Sequence, residues 1–395
     1  MFGSNKKSKS GTVLTTSREG RMASRMPLIL CASAVALTSQ MVMAAPAGAE
    51  NNFSKVNLAP GKKGGIQDMQ DISKYCGTKP LKVAYSDGWG GNYWRQITRA
   101  EFENEAAKCP NITEVRYTDG EFKAEKQIAD IKGLIAQRFN VIVVFADTGV
   151  AQLKVMREAL NAGVAVVPFT TGDAPFGEIG KDYLTRVTET QIGLGEMLAQ
   201  WMVKTLGGKG NVIVQGGTPG NPMTSSQAVG WRKVFDANPG IKVLEGPVDT
   251  NWDPALAQKV TAAEIAKYDK IDGIMAETTG PIRAFLAAGR PIPAWAGQDL
   301  NELSCLWQDN HAANPTFKLA TASAHTWLVR LALRKGVAAA NGMDNDEPSL
   351  IDLPFSEDST SSDPALAVKC DKNLPPTAIP SAMVSGTKMK AILSK

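Results

Sequence analysis

Short β-branched runs recur along this chain, and segments of helical period separate them. The runs are VAYS (83–86), VIVVF (141–145), VAVVPF (164–169), NVIVQ (211–215), IDGIM (271–275) and LATAS (319–323). Between two of them, KAEKQIADIKGLIAQR (123–138) puts Ile128, Ile131, Leu134 and Ile135 on one helix face. TQIGLGEMLAQWMVKTL (190–206) does the same with Leu194, Met197, Leu198 and Trp201. A strand that reads as a continuous apolar run is buried on both faces, as in a parallel sheet covered by helices. The pattern predicts an α/β fold made of two doubly wound parallel-sheet lobes. One series runs from about 80 to 187 and the other from about 188 to 325, each about the size of a domain. VTETQIG (187–193) reads as the crossing between them. TWLVRLALRKGVAAA (326–340) reads as a late helix, LIDLPF (350–355) as a short strand, and the Ser-, Asp- and Pro-rich tail from 356 as mostly irregular.

The N-terminus follows different rules. Lys6, Lys7, Lys9, Arg18, Arg21 and Arg25 precede the apolar run PLILCASAVAL (27–37), and small residues follow around Ala45. A basic region, a short apolar region and a small-x-small pattern make a secretory signal peptide, here 1–45. The apolar run falls short of the ~20 residues that span a bilayer. Residues 46–78, with GKKGG at 61–65, read as a leader arm. The whole chain carries 43 basic and 39 acidic residues, and without 1–45 the balance is 37 to 38. A near-neutral mature surface gives no basic patch for nucleic acid and no basic amphipathic helix for a membrane surface.

Four cysteines remain after the leader, an even number in a chain read as exported, which points to disulfides. Cys76 precedes the first strand and Cys109 ends the first helix, so both lie at one end of a βα unit. The expected pairs are Cys76–Cys109 and, by elimination, Cys305–Cys370. No CxxC pair occurs, and the only histidines are His311 and His325, so neither a metal site nor a cofactor is expected.

Ligands of doubly wound sheets sit outside the carboxyl ends of the strands. The residues that follow each run are therefore the candidate site. SDGWGGNYWR (86–95) supplies Trp89, Tyr93, Trp94 and Arg95, and later turns supply Asp147, Thr170, Thr171 and Asp173. The second series supplies Trp252, Thr278, Asp299 and His325. Aromatic rings stack on the C–H faces of a sugar, and short polar side chains meet its hydroxyls. Trp201 and Trp327 read as core, and Trp231 and Trp295 fit either role. QGGTPGNP (215–222) matches neither a dinucleotide fingerprint nor a P-loop. No nucleophile elbow is present, so the chain reads as a binding protein rather than an enzyme.

These stretches, in this order, resemble the periplasmic sugar-binding proteins of ABC importers, of type I fold, and within them the ribose- and galactofuranose-binding group. SDGWGGNYWR resembles the first-loop signature, whose paired aromatics fall on Tyr93 and Trp94. EKQIADIKGLIAQRFNVIVVFADT resembles the stretch from the second helix to the third strand. NWDPALAQK resembles the motif whose aromatic lies against the sugar, here Trp252. TTGPIRAFLAAG followed by AWAGQDL resembles the stretch that ends in a ligand-binding aspartate, here Asp299. Ribose binders carry Asp-Arg where this chain has Thr170-Thr171, an arginine where it has Ser225 near Gln227, and Asn-Asp where it has Thr278-Thr279. Arg95 after the tryptophan is closer to the galactofuranose type. The resemblance implies lobes at 79–187 and 188–325, a return to the first lobe over 326–352, and a final segment 353–395. It implies three hinge crossings near 187–190, 323–326 and 352–355. It also implies a monomer in the periplasm that binds a sugar or polyol and docks on the membrane permease of an ABC importer. A sensor presenting its ligand to a membrane receptor is the alternative, and a secreted α/β enzyme is the more distant one.

Overall fold

The computed structural model describes residues 52–394. The segment 1–45, expected as a signal peptide, lies outside the described residues. The chain begins with the two-residue strand β1 (Lys63–Gly64) and then runs β2 (Leu81–Asp87), α1 (Tyr93–Ala106), β3 (Ile112–Asp119), α2 (Ala124–Ala136), β4 (Val141–Val144), α3 (Leu153–Asn161) and β5 (Ala165–Pro168). After β6 (Thr188–Glu189) a second series follows: α4 (Gln191–Thr205), β7 (Gly210–Gly216), α5 (Pro222–Asp236), β8 (Ile241–Asp249), α6 (Pro254–Lys267), β9 (Gly273–Met275), α7 (Gly280–Ala287), β10 (Ala294–Gln298), α8 (Asn301–Asn310) and β11 (Leu319–Ala322). The chain ends with α9 (Leu328–Ala340), β12 (Leu350–Ile351), β13 (Phe355–Asp358) and α10 (Gly386–Leu393).

The first lobe holds a parallel sheet of order β3-β2-β4-β5. The second holds β13-β11-β10-β9-β7-β8, parallel throughout except where β13 runs antiparallel along β11. Every residue of β4 and β5 is buried, as continuous apolar strands covered on both faces require. A third sheet, β1-β12-β6, is parallel. It draws its strands from residues 63–64, 188–189 and 350–351, so the arm before the first lobe pairs with a late segment that in turn pairs with the crossing between the lobes.

Helix α9 shows why that arm is needed. It is buried almost all round, including Arg330, Arg334 and Lys335. A helix with no solvent face must pair its charges. Arg330 donates to Glu101 and Glu105 of α1 and to Asn104 Oδ1 at 2.8 Å. Arg334 donates to Glu105 Oε1 at 2.6 Å and Glu347 Oε1 at 2.8 Å. Lys335 Nζ donates to the Leu58 carbonyl at 2.9 Å and the Glu347 carbonyl at 2.7 Å. Burial pushes the Lys335 ammonium down to about 8. The segment 52–78, expected as a leader arm, is thus part of the packed body, with Leu58, Ile72 and Tyr75 buried in the core.

The two disulfides are Cys76–Cys109 and Cys305–Cys370. The second anchors the tail to α8. Beyond it the tail is mostly without regular structure, yet it is firmly bonded. Asn301 N donates to the Ala378 carbonyl, and Asn301 Nδ2 donates to the carbonyls of Asp371 and Pro375. The amides of Met383 and Val384 donate to Glu101 Oε1 of α1 at 2.6 and 3.1 Å. Ile379, Val384 and Met389 share an apolar cluster with Ile97 and Ala100 of α1 and with Leu303 and Phe317. The tail therefore spans from the second lobe to a helix of the first.

Candidate functional site

A cleft gathers the carboxyl ends of strands from both lobes. Asn92, Tyr93, Trp94, Arg95, Phe145, Asp147 and Thr170 line it from the first lobe, and Asn221, Met223, Trp252, Glu277, Gln298 and His325 from the second. It holds about 590 Å³ of space free of protein atoms, its open mouth included.

The glycines of SDGWGGNYWR make room. A Cβ on Gly88 would stand 2.3 Å from Asp147 Oδ2, and one on Gly91 would enter the Trp89 ring. The turn closes on Asn92, whose side chain accepts the Arg95 amide at 3.0 Å and starts α1. That start aims Arg95 inward. Its two terminal nitrogens donate to Asp87 Oδ1 and Asp147 Oδ1, each at 2.7 Å. The guanidinium lies over the Phe145 ring, 3.5 Å from its centroid. Arg95 lines the cleft with its guanidinium already held by these two carboxylates. Burial pushes the Asp87 carboxyl up to about 6 despite Arg95, and burial also raises Asp147. Trp94 Nε1 donates to the Ala324 carbonyl at 2.6 Å, and its ring packs edge-on against Phe145 and His325.

On the second lobe, Asn251 and Trp252 both have φ near +54°. This left-handed stretch is uncommon for side chains of that size. Asp253 follows as the N-cap of α6, accepting the Leu256 amide at 2.6 Å. The Trp252 ring lies flat against Gly217, where a Cβ would come within 2.1 Å of it. The close approach explains a glycine of QGGTPGNP. Trp252 Nε1 donates to Glu277 Oε2, and Gln227 Nε2 donates to Glu277 Oε1 at 2.9 Å. Burial raises the Glu277 carboxyl. Asp147 Oδ2, Thr170 Oγ1 and His325 Nε2 are buried without a hydrogen-bond partner in the protein.

Thr171 lines the adjoining crevice near Asn221 and Phe176. The other sequence candidates lie off the cleft wall. Trp89 stacks on Phe122 with centroids 4.4 Å apart. Asp173 Oδ2 accepts the Ile192 amide at 2.6 Å in the first turn of α4. Ser225 donates back to the Asn221 carbonyl, and Gln227 stands behind Glu277. Thr278 is buried beside its neighbour Glu277, which faces the cleft instead. Asp299 accepts from the Ala324 amide at 2.7 Å, the Ser381 amide at 2.7 Å and the Ser381 hydroxyl at 3.0 Å. Its carboxyl, pushed up to about 7 by burial, serves the tail, and Gln298 one residue earlier takes the cleft position. Asn92, Phe145, Asn221, Met223, Glu277 and Gln298 line the cleft but were not singled out. Gln298 lies inside the quoted stretch AWAGQDL, and Glu277 directly precedes TTGPIRAFLAAG. Trp201, Trp231, Trp295 and Trp327 are all buried core residues. Among the described residues no cluster of His, Cys, Asp and Glu could hold a metal ion, and no helix is long and apolar enough to cross a membrane.

Comparison with known proteins fits this geometry. The galactofuranose-binding protein YtfQ of Escherichia coli (strain K12) is 28% identical over 167 residues, which cover 42% of this chain and 51% of that one. The chain thus spans about half the length of this curated relative. An ABC transporter solute binding protein from Thermobispora bispora DSM 43833 superposes with a TM-score of 0.59 at 25% identity, over 70% of this chain and 85% of that one. A Caulobacter myo-inositol binding protein bound to myo-inositol superposes with a TM-score of 0.60 at 21% identity, over 70% of this chain and 93% of that one, and so shares the fold. The family described as periplasmic binding protein domain matches residues 83–318. The chain is a member of that periplasmic binding protein family.

Proposed function

We propose that this protein is a solute-binding protein of the periplasm that captures a sugar or sugar-like polyol between its lobes and delivers it to an ABC-type importer. The observation that carries the reading is the convergence of two sets of strand ends. Aromatic rings from both lobes (Tyr93, Trp94, Trp252) face one cleft with buried polar atoms of Asp147, Thr170 and His325 that lack protein partners. Buried polar groups seek partners, and ligand hydroxyls between the rings supply them. A ligand touching both walls favours the closed arrangement, so closure follows from population shift. The segments 188–189 and 350–351, side by side in the small sheet, suit hinge crossings. The Thermobispora bispora relative is a solute binding protein of an ABC transporter, and a signal peptide at 1–45 fits export.

The test is a thermal-shift screen of the chain from residue 46 against pentoses, hexoses, furanose sugars, inositols and polyols. A ligand at 100 times its Kd adds about 2.7 kcal/mol of stability. A flat response across the panel, with the protein folded, overturns the reading.

A further inference from the structure

The charges around the cleft narrow the ligand class, on the reading that the solute binds there. Arg95 is the one Lys or Arg side chain lining the cleft among the described residues. Asp87 and Asp147 each hold it at 2.7 Å. Its charge is therefore answered twice before any solute arrives. Glu277 has no such partner. It makes no ion pair, and its oxygens accept only the neutral donors Trp252 Nε1 and Gln227 Nε2. The other titratable groups facing it are His325, Glu189 and the Tyr93 hydroxyl. Glu189 is itself buried, with Oε1 bonded to Gln191 and 3.8 Å from His325 Nε2, and with Oε2 without a hydrogen-bond partner. Across the cleft, Asp147 Oδ2 is a second buried carboxylate oxygen with no partner.

We infer that the cleft takes a solute carrying an ammonium group beside its hydroxyls, an amino sugar or aminated polyol, with Glu277 as its counter-ion. Glu277 is half-buried, and a carboxylate drawn out of water with no cation beside it is costly, a cost that an ammonium from the solute removes. A sugar acid or sugar phosphate would meet Glu277 and Asp147 with Arg95 already engaged. Burial raises the Glu277 carboxyl, so acid removes the charge that the ammonium needs. Affinity for the amine rises with pH as Glu277 ionises.

The experiment compares matched probes on the full chain by calorimetry: glucosamine and galactosamine, glucose and galactose, glucuronate and galacturonate. The amine of a pair is expected to bind at least tenfold tighter than its neutral parent, and the acid not at all. Affinity for the amine should fall as pH is lowered from 7 to 5, and affinity for the neutral parent should not, read in the same titrations. Glu277→Gln, isosteric and checked for folding by circular dichroism, should lower the ratio of amine to neutral affinity about tenfold. Neutral sugars that bind as tightly as their amines overturn this inference and leave the sugar-binding reading standing. A wild-type panel in which nothing binds overturns this inference, and a flat wider screen as well overturns both.

Discussion

Asp299 accepts the backbone N–H of Ser381 at 2.7 Å. The aspartate ends a strand of the second lobe, where family likeness would place a ligand contact, and the serine belongs to the C-terminal tail. Three donors converge on this buried carboxylate, so its first duty is to fasten the tail. Asp299→Ala should lower stability by about 1–3 kcal/mol, because it leaves buried amides without an acceptor. Thermal unfolding measures this. The loss of ligand affinity should be smaller than for a cleft residue, and the reverse order would return Asp299 to the site.

Trp252→Ala should weaken ligand binding by about 2 kcal/mol, roughly thirtyfold in Kd, with little change in melting temperature. The ring is partly exposed on the cleft wall, so its loss opens no core cavity. Gly217→Val should act the same way from a distance, because its added Cβ would occupy the space of the Trp252 ring. Calorimetry with the ligand found by screening tests both variants, and normal binding by Gly217→Val would show that the ring position is not needed.

The ion cluster between α1 and α9 makes a different prediction. Glu105 receives both Arg330 and Arg334. Breaking one partner of a buried charge network is costly, of the order of 3–5 kcal/mol. Glu105→Gln should therefore destabilise the protein strongly, as read in urea unfolding. Binding by the fraction that remains folded should be unchanged, since α1 presents its cleft residues from its first turn.

Stability should rise as pH falls from 8 towards 5. Burial holds Asp87 up to about 6, Asp299 up to about 7 and Glu264 up to about 7, Glu264 with help from Glu245. In the unfolded chain such groups titrate near 4. Their contribution is fully present below that value and is lost as pH rises through 6 to 7. Glu105, whose carboxyl sits below its ordinary value despite burial because Arg334 and its neighbours hold it ionised, loses its contribution only in stronger acid. Melting temperature against pH tests this. Glu264→Gln should flatten the upper limb and add of the order of 1 kcal/mol at pH 8. A melting curve that falls on acidification from 8 to 5 contradicts the assignment.

The lobes were legible because their strands are long apolar runs and their helices keep a clean period. The strand-end rule also found the cleft. It missed by one residue at Thr278 and Asp299, where Glu277 and Gln298 face inward. A turn after a strand fixes which residues are near a site. The dihedral angles that choose among them come from contacts far away in the chain. Phe145 and Met223 carry no polar signal. Trp252 was legible as an aromatic beside a helix cap, but its left-handed backbone was not. The arm at 52–78 and the tail looked like unstructured polar chain, because their bonds run to distant residues such as Lys335, Asn301 and Glu101. No local pattern records those partners.

The stretch that matches the family ends at residue 318, well before the tail reaches α1. A fragment cut at that boundary would lose α9, the Cys305–Cys370 bridge and every contact between the tail and Glu101. The boundary of family likeness and the boundary of the folding unit are therefore different places in this chain. The same holds for attachments. A fluorescent reporter fused after Leu393 would hang from an element gripping both lobes, and would register their relative motion rather than ride passively on one of them.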